Sequence, residues 1–265
     1  MAYGLWTVDR GLWTVDCRLW TVDCGLVDSG PWTMEIEIWS DIVCPWCYLG
    51  KRRLEEALDR FEGRDEVRVV HRAFQLDPTR PMGETQNRRR MLMAKYGWTE
   101  QQAAAIDAQM MARAADDGLS YRLTANGVTG NTRQAHELVQ AAAAEGRADA
   151  MLERLYRAYF SEERSIFDVD SLVALAAEVG LDPQSTRTAL EEGRYTAAVQ
   201  ADDRQAREFG ANGVPFFVID RRFGVSGAQP VEVFAEALTR AADARSAHDA
   251  DRATVPEPHI TDDSR

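Results

Sequence analysis

Glu35-Ile36-Glu37-Ile38-Trp39-Ser40-Asp41-Ile42-Val43-Cys44-Pro45-Trp46-Cys47-Tyr48 is the stretch that decides how this chain is read. Its first five residues form a strand-like run, and residues 49–61 after it form a helix-like one. Between them stand two cysteines, Cys44 and Cys47, three positions apart. Residues at that spacing share a helix face, so their sulfurs come within disulfide reach. A strand that hands the pair to the first turn of a helix puts Cys44 where backbone N–H groups lack intrahelical partners, which favours a thiolate over a thiol. Pro45 supports the placement, because proline suits the first helical position and breaks helix interiors. Trp46 adds bulk between the sulfurs and no charge, so the thiolate depends mainly on the helix terminus. The pattern points to redox chemistry.

Two rival readings of the pair stand beside that one. Half of a zinc site needs a second pair of ligands, and the remaining cysteines, Cys17 and Cys24, lie at unsuitable spacing. Two inert buried thiols are the other rival. Asp41, three residues ahead of Cys44, reads first as a turn residue at a strand end and second as a proton-handling neighbour of the pair.

Composition narrows the classes. A chain of 265 residues can bury a sizeable core, as one domain with an insertion or as two small ones. Its formal charge of −12 argues against nucleic acid or an anionic membrane as partner, since both call for basic patches. Four cysteines are too few for a disulfide scaffold of this length. No apolar run reaches the roughly 18 residues that a membrane helix needs, and acidic residues interrupt the first 30, so no signal peptide is read there. A cytoplasmic location is the expectation.

Residues 1–33 are repetitive. Leu-Trp-Thr-Val-Asp occurs at 5–9, 12–16 and 19–23, and a degraded copy follows at 25–28. The seven-residue period carries no coiled-coil seam, and solenoid repeats are longer. The tract is expected to be a disordered extension outside the fold, with Met34 as the functional start.

Beyond the cysteine pair, residues 67–74 alternate as a second strand, and residues 76–83 form a proline-punctuated loop. Helical segments are expected at 84–96, at 99–117 with Thr99 and Gln102 as a capping box, and at 132–145 and 148–162. Asp170 is expected to cap another, Asp182-Pro183 to open the next, and residues 195–209 to close the set. Residues 212–220 then read as a turn into a buried strand, 221–227 as its hairpin partner and 230–242 as a final helix. Arg88-Arg89-Arg90 reads as a solvated helix face. From Arg245 the chain is polar with two late prolines, an expected disordered tail.

At this point the chain resembles the DsbA family of thioredoxin-fold oxidoreductases, and within it the FrnE-like branch. Cys44-Pro45-Trp46-Cys47, the helical interruption, and Gly213-Val214-Pro215 ahead of an apolar strand carry the resemblance. Phe74-Gln75-Leu76-Asp77-Pro78, Asn131-Thr132 with Ala135-His136, and Ser226-Gly227-Ala228-Gln229-Pro230 are similar to the branch as well. The likeness spans about residues 34–240 and leaves out the repeats and the tail.

It implies an α/β, thioredoxin-like fold with a large all-helical insertion. The thioredoxin-like part is expected at 34–83 and 205–244, the insertion at 84–204, and the tail at 245–265. It implies Cys44 as attacking thiolate, Cys47 as resolving thiol, and a cis Pro215 facing them. It implies substrate contacts from Pro45, Trp46 and the Val214 backbone, which would take an extended segment as an added strand. His136 reads first as a packed helix-interface histidine, with a substrate-cleft role as the alternative. Partners would be thiol or disulfide proteins or small molecules and a redox partner; no metal or bound cofactor is implied, with glutathione as an optional co-substrate. Two other classes share the fold. Glutathione-dependent isomerases and kappa-type transferases carry a serine at the first cysteine's place, and a redox-inactive chaperone would need an unreactive Cys44.

Overall fold

Met34–Ser40 forms an interior strand, β2, and its alternating residues sort to two faces of a sheet. The computed structural model describes residues 12–14 and 34–253, with side chains from 34 to 246. β2 pairs in parallel with β3 (Val67–Ala73) and antiparallel with β6 (Phe216–Ile219), whose hairpin partner is β7 (Phe223–Ser226). The parallel β2–β3 step needs a crossover, and α1 (Pro45–Asp59) supplies it. Met34, Ile36, Ile38, Phe217 and Ile219 share one core with Leu54 and Leu58 of α1 and with Phe234, Ala237 and Leu238 of the final helix, α9 (Val231–Ala253). Trp39, Phe216 and Val218 point to the other face, against Ala206 of α8 (Thr196–Glu208).

The helical block lies between β3 and β6: α2 (Arg88–Tyr96), α3 (Glu100–Asp116), α4 (Arg133–Ala144), α5 (Ala148–Phe160), α6 (Val169–Glu178), α7 (Pro183–Glu191) and then α8. This is the thioredoxin-like fold with a helical insertion that the sequence implied. The largest core belongs to the insertion and includes Cys44, Cys47, Tyr48 and Leu49. The helical block therefore packs directly behind the cysteine pair.

Several local expectations need correction. Residues 84–87 are not helical: Thr85–Asn87 is a strand, β4, paired with β5 (Val128–Gly130). The helix starts only after Asn87, whose side chain caps it by accepting the Arg90 N–H at 2.8 Å. Asp168, not Asp170, caps α6, accepting the Ser171 N–H at 2.8 Å. Arg88 and Arg89 turn inward onto the buried carboxylate of Asp107, at 2.8 and 3.0 Å, because that charge needs partners; only Arg90 of the three is exposed. α9 runs on to Ala253, past the expected start of the tail, and 254–265 lie outside the described residues.

Within the repeat tract, Leu12–Thr14 is an edge strand, β1, antiparallel to β7, where no structure was expected. The remainder of 1–33 lies outside the described residues. Among the described residues no helix is long and apolar enough to cross a membrane.

Phe234 is fully buried, its ring 4.8 Å from that of Phe217 at 75°, and it joins α9 to the sheet. Phe234→Ala is expected to lower unfolding stability by about 3–5 kcal/mol in urea titrations followed by circular dichroism.

Candidate active site

Cys44 stands at the N-cap of α1 with extended backbone angles of φ −88° and ψ 112°, and Pro45 follows at the first helical position. The Cys44 N–H donates to the Asp41 carbonyl at 3.0 Å, a turn that ends β2 and aims the chain into the helix. The Cys47 N–H donates to the Cys44 carbonyl, also at 3.0 Å, closing the first helical turn with both sulfurs on one side. Both cysteines are free thiols.

Their surroundings differ. Cys44 is 5% exposed and lies at the rim, its thiol donating to the Val214 carbonyl at 3.6 Å. Cys47 is 1% exposed, one turn deeper, and its sulfur accepts the Asp41 backbone N–H at 3.5 Å. Burial, then the hydrogen bond and field of Cys44, push the Cys47 thiol well above its ordinary range, against the pull of that Asp41 amide. The two thiols are therefore unequal. Cys44 keeps a small exposed area, and Cys47 is held protonated behind it.

The wall opposite comes from a distant part of the chain. The Val214–Pro215 peptide is cis, as the resemblance implied. Pro215 is buried against α1, where a Cβ at Gly50 would fall 2.9 Å from Pro215 Cγ and 3.1 Å from Phe217 Cζ. Glycine at 50 is what lets helix and proline approach this closely.

The insertion closes the rear. Tyr121, in the loop after α3, donates its hydroxyl to the Pro45 carbonyl at 2.8 Å. Tyr48 stacks on Tyr156 at 4.7 Å, and Tyr121 on Phe160 at 4.7 Å. Burial, then the fields of Cys44, Tyr48 and Cys47, push the Tyr121 phenol far up, so it acts as a hydrogen-bond donor. The Arg113 guanidinium lies 5.4 Å from the half-buried Trp46 ring. Sequence reasoning missed these residues. Tyr48 adjoins the motif and was within its reach, but nothing local ties Tyr121 or Tyr156 to residues so far upstream.

The structure gathers Cys44, Pro45, Trp46, Val214 and Pro215 around one rim, with Cys47 one turn behind it. His136 does not join them. It is 3% exposed on α4 and borders a small pocket of about 10 Å³ with Ser40, Ala73 and Leu152, which is the packed position read first for it and not the substrate-cleft alternative. Asp41 is buried as well, its carboxylate accepting the Leu76 N–H at 2.8 Å. Among the described residues no group of three or more His, Cys, Asp or Glu side chains is placed to hold a metal ion.

An asymmetric dithiol at a helix N-terminus, faced by a cis-proline at the entrance to a sheet strand, defines a thioredoxin-fold protein. The chain belongs to the DSBA-like thioredoxin domain family, whose model matches residues 35–239. It is similar to a probable DsbA oxidoreductase of Streptomyces coelicolor, with 49% identity, a TM-score of 0.77, and coverage of 79% of this chain and 90% of that one. It is also 30% identical over 215 residues to the Bacillus subtilis protein YwbO, described as uncharacterized, covering 78% of this chain and 96% of that one. The cytosolic disulfide reductase DsbM of Pseudomonas aeruginosa, at 21% identity and a TM-score of 0.51 over 83% of this chain and all of that one, shares the fold.

The unequal burial has a direct readout. In the full chain with Cys17→Ser, Cys24→Ser and Cys44→Ser, the remaining Cys47 thiol is expected to resist iodoacetamide at about pH 9, above the ordinary thiol range. Mass spectrometry counts the adducts. Alkylation at the rate of a free thiol contradicts the buried, protonated Cys47 described above.

Proposed function

We propose that the chain is a thiol–disulfide oxidoreductase in which Cys44 attacks and Cys47 resolves. The observation that carries this reading is the 3.6 Å contact between Cys44 Sγ and the Val214 carbonyl, with Cys47 buried one turn behind. A Cys44 thiolate displaces one sulfur of a substrate disulfide as thiolate and forms a mixed disulfide. Cys47 then attacks the Cys44 sulfur, releases the second substrate thiolate, and leaves the Cys44–Cys47 disulfide, so two electrons have passed to substrate. The half-buried flank of Pro45 and Trp46 and the Val214 backbone form the substrate rim, where an extended segment adds to the main chain as a strand does.

Electrons return from a low-molecular-weight thiol such as glutathione or from a protein dithiol. In a reducing cytosol, the location we assign, the pair rests as the dithiol and works as reductase or isomerase. The motifs around Cys44, Phe74 and Ser226 support a reading of it as a member of the FrnE-like branch. A cysteine rather than a serine at 44 weighs against a glutathione-dependent isomerase or transferase on the same fold.

The test uses the full chain with Cys17→Ser and Cys24→Ser. Equilibration in glutathione buffers followed by thiol trapping is expected to give a Cys44–Cys47 potential near that of thioredoxin, roughly −270 mV. A value nearer roughly −120 mV makes the protein an oxidant instead. Insulin reduction is expected to fall to the uncatalysed rate in Cys44→Ser, while Cys47→Ser accumulates a mixed disulfide. Failure to form the Cys44–Cys47 disulfide at any potential ends the redox reading.

A further inference from the structure

The turn that carries the reaction has no charged side chain apart from its thiols. Cys44-Pro45-Trp46-Cys47 brings only a proline and an indole, while the chain as a whole carries −12. A substrate that bears carboxylates is repelled by that total charge as it approaches. A fixed cation beside the pair would decide whether such substrates are taken or refused.

The helical insertion supplies one. Arg113 stands in the last turn of α3 and is exposed, with its guanidinium carbon 5.4 Å from the centre of the Trp46 ring. That is within the range of a cation–π contact, for which tryptophan is the best ring. The end of α3 is tied to the motif on either side of this contact. Tyr121, just beyond the helix, donates to the Pro45 carbonyl at 2.8 Å, and Asp117 at the helix C-cap accepts from Arg53 of α1 at 2.9 Å. The docking of the insertion therefore sets where the guanidinium lies.

Among the described residues no carboxylate lies within ion-pair distance of Arg113. Asp117 is taken by Arg53, which also donates to the Ala228 carbonyl at 2.8 Å. Asp116, three positions on from Arg113, is exposed and makes no ion pair with it. A helix dipole alone favours a basic residue at this end of a helix, but that effect needs no aromatic partner. The ring adds something specific. A guanidinium resting over an aromatic face keeps its N–H donors in its own plane, free to grip a carboxylate through two parallel bonds. The contact also holds the side chain in place before a ligand arrives, which lowers the entropy cost of binding.

We infer that Arg113 is a specificity-determining residue of this site, receiving a carboxylate that the substrate carries near its disulfide. The carrier is either a low-molecular-weight disulfide such as oxidised glutathione or an acidic side chain next to a protein cystine; both present the same group. The inference rests on the reaction proposed above and names the substrates of its site. In that reaction the Cys44 thiolate bonds to one substrate sulfur, and the other leaves as thiolate with the electron pair. Arg113 takes no part in these bond changes. It holds the carboxylate over Trp46 while they occur.

Two aromatic disulfides whose released thiols absorb light separate charge from reactivity. Dithiobis(nitrobenzoate) carries a carboxylate on each half, and dithiodipyridine is uncharged at neutral pH. The full chain with Cys17→Ser and Cys24→Ser is reduced and mixed with each by stopped flow at about pH 7, and the first equivalent released is followed. Arg113→Met keeps an unbranched apolar stem beside Trp46 and loses the charge. It is expected to lower the ratio of the carboxylate rate to the uncharged rate about tenfold, the scale of one charge-assisted contact. Arg113→Lys retains the charge and is expected to hold that ratio within about threefold of the parent. An unchanged ratio in Arg113→Met overturns the inference, and so does a lysine variant no better than the methionine one. Equal slowing with both probes leaves the ratio unchanged and counts against it, since Arg113 then acts on Cys44 rather than on the substrate. Oxidised glutathione and cystine peptides with Glu or Gln beside the cystine identify the carrier. Selective slowing in Arg113→Met with glutathione assigns the small molecule, selective slowing with the Glu peptide assigns a protein segment, and selective slowing with neither overturns the inference. Absence of thiol release with both aromatic probes in the parent overturns the oxidoreductase reading instead.

Discussion

A carboxylate removed from water costs several kcal/mol unless hydrogen-bond donors meet it. Asp41 stands under that constraint at the end of β2, where the backbone satisfies it. Its Oδ2 takes the Leu76 amide from the chain leaving β3, and its main-chain carbonyl takes the Cys44 amide. Its own amide goes to Cys47 Sγ. One residue therefore ties the exits of the two parallel strands together and fixes where the helix begins. The position of the cysteine pair follows from these bonds.

The sheet beneath shows the same economy with charge. Glu37, in the middle of β2, is 1% exposed and is held by Arg72 at 2.7 Å and Arg221 at 3.3 Å. Asp202 on α8 caps the end of β3 through the Ala73 amide, and its carbonyl accepts the Trp39 indole N–H at 2.9 Å. Removing one partner from either cluster strands a buried charge, so these contacts specify how α8 docks more than they add net stability. The insertion contributes differently. Through Tyr121, Tyr156 and Phe160 it supplies aromatic surface against Tyr48 and joins Cys47 in one apolar core, and burial there pushes that thiol up.

What was legible in the chain had a local signature. Pro45 after Cys44, the capping box of Thr99 and Gln102, and Asp182 ahead of Pro183 each act within one helical turn, and each stands where the pattern placed it. Errors arose where two local signals competed. Asp168 and Asp170 both suit a cap, and only the backbone conformation selects the first. Residues 84–87 have ordinary composition for a helix start, but pairing with Val128–Gly130, some 40 positions on, makes a strand of Thr85–Asn87. The solvated face read for Arg88, and the cleft alternative for His136 beside its first reading as a packed interface histidine, fail for a related reason. Both side chains turn toward buried carboxylates, Asp41 and Asp107, that come from other elements. The redox pair was visible because its geometry lies within four residues. The tyrosines behind it were not, because only the folded insertion brings them there.

The contact between Cys44 and Val214 joins residues 170 positions apart. At a synthesis rate of ~5–20 residues per second, the ribosome needs roughly ten to thirty seconds to travel that distance. For that interval the nascent chain presents both thiols with no opposing rim, while the helices that bury Cys47 are still being made. On the proposed function, the rim assigned to substrate is therefore the last part of the site to be made, and a chain stalled before residue 214 would hold both cysteines without it.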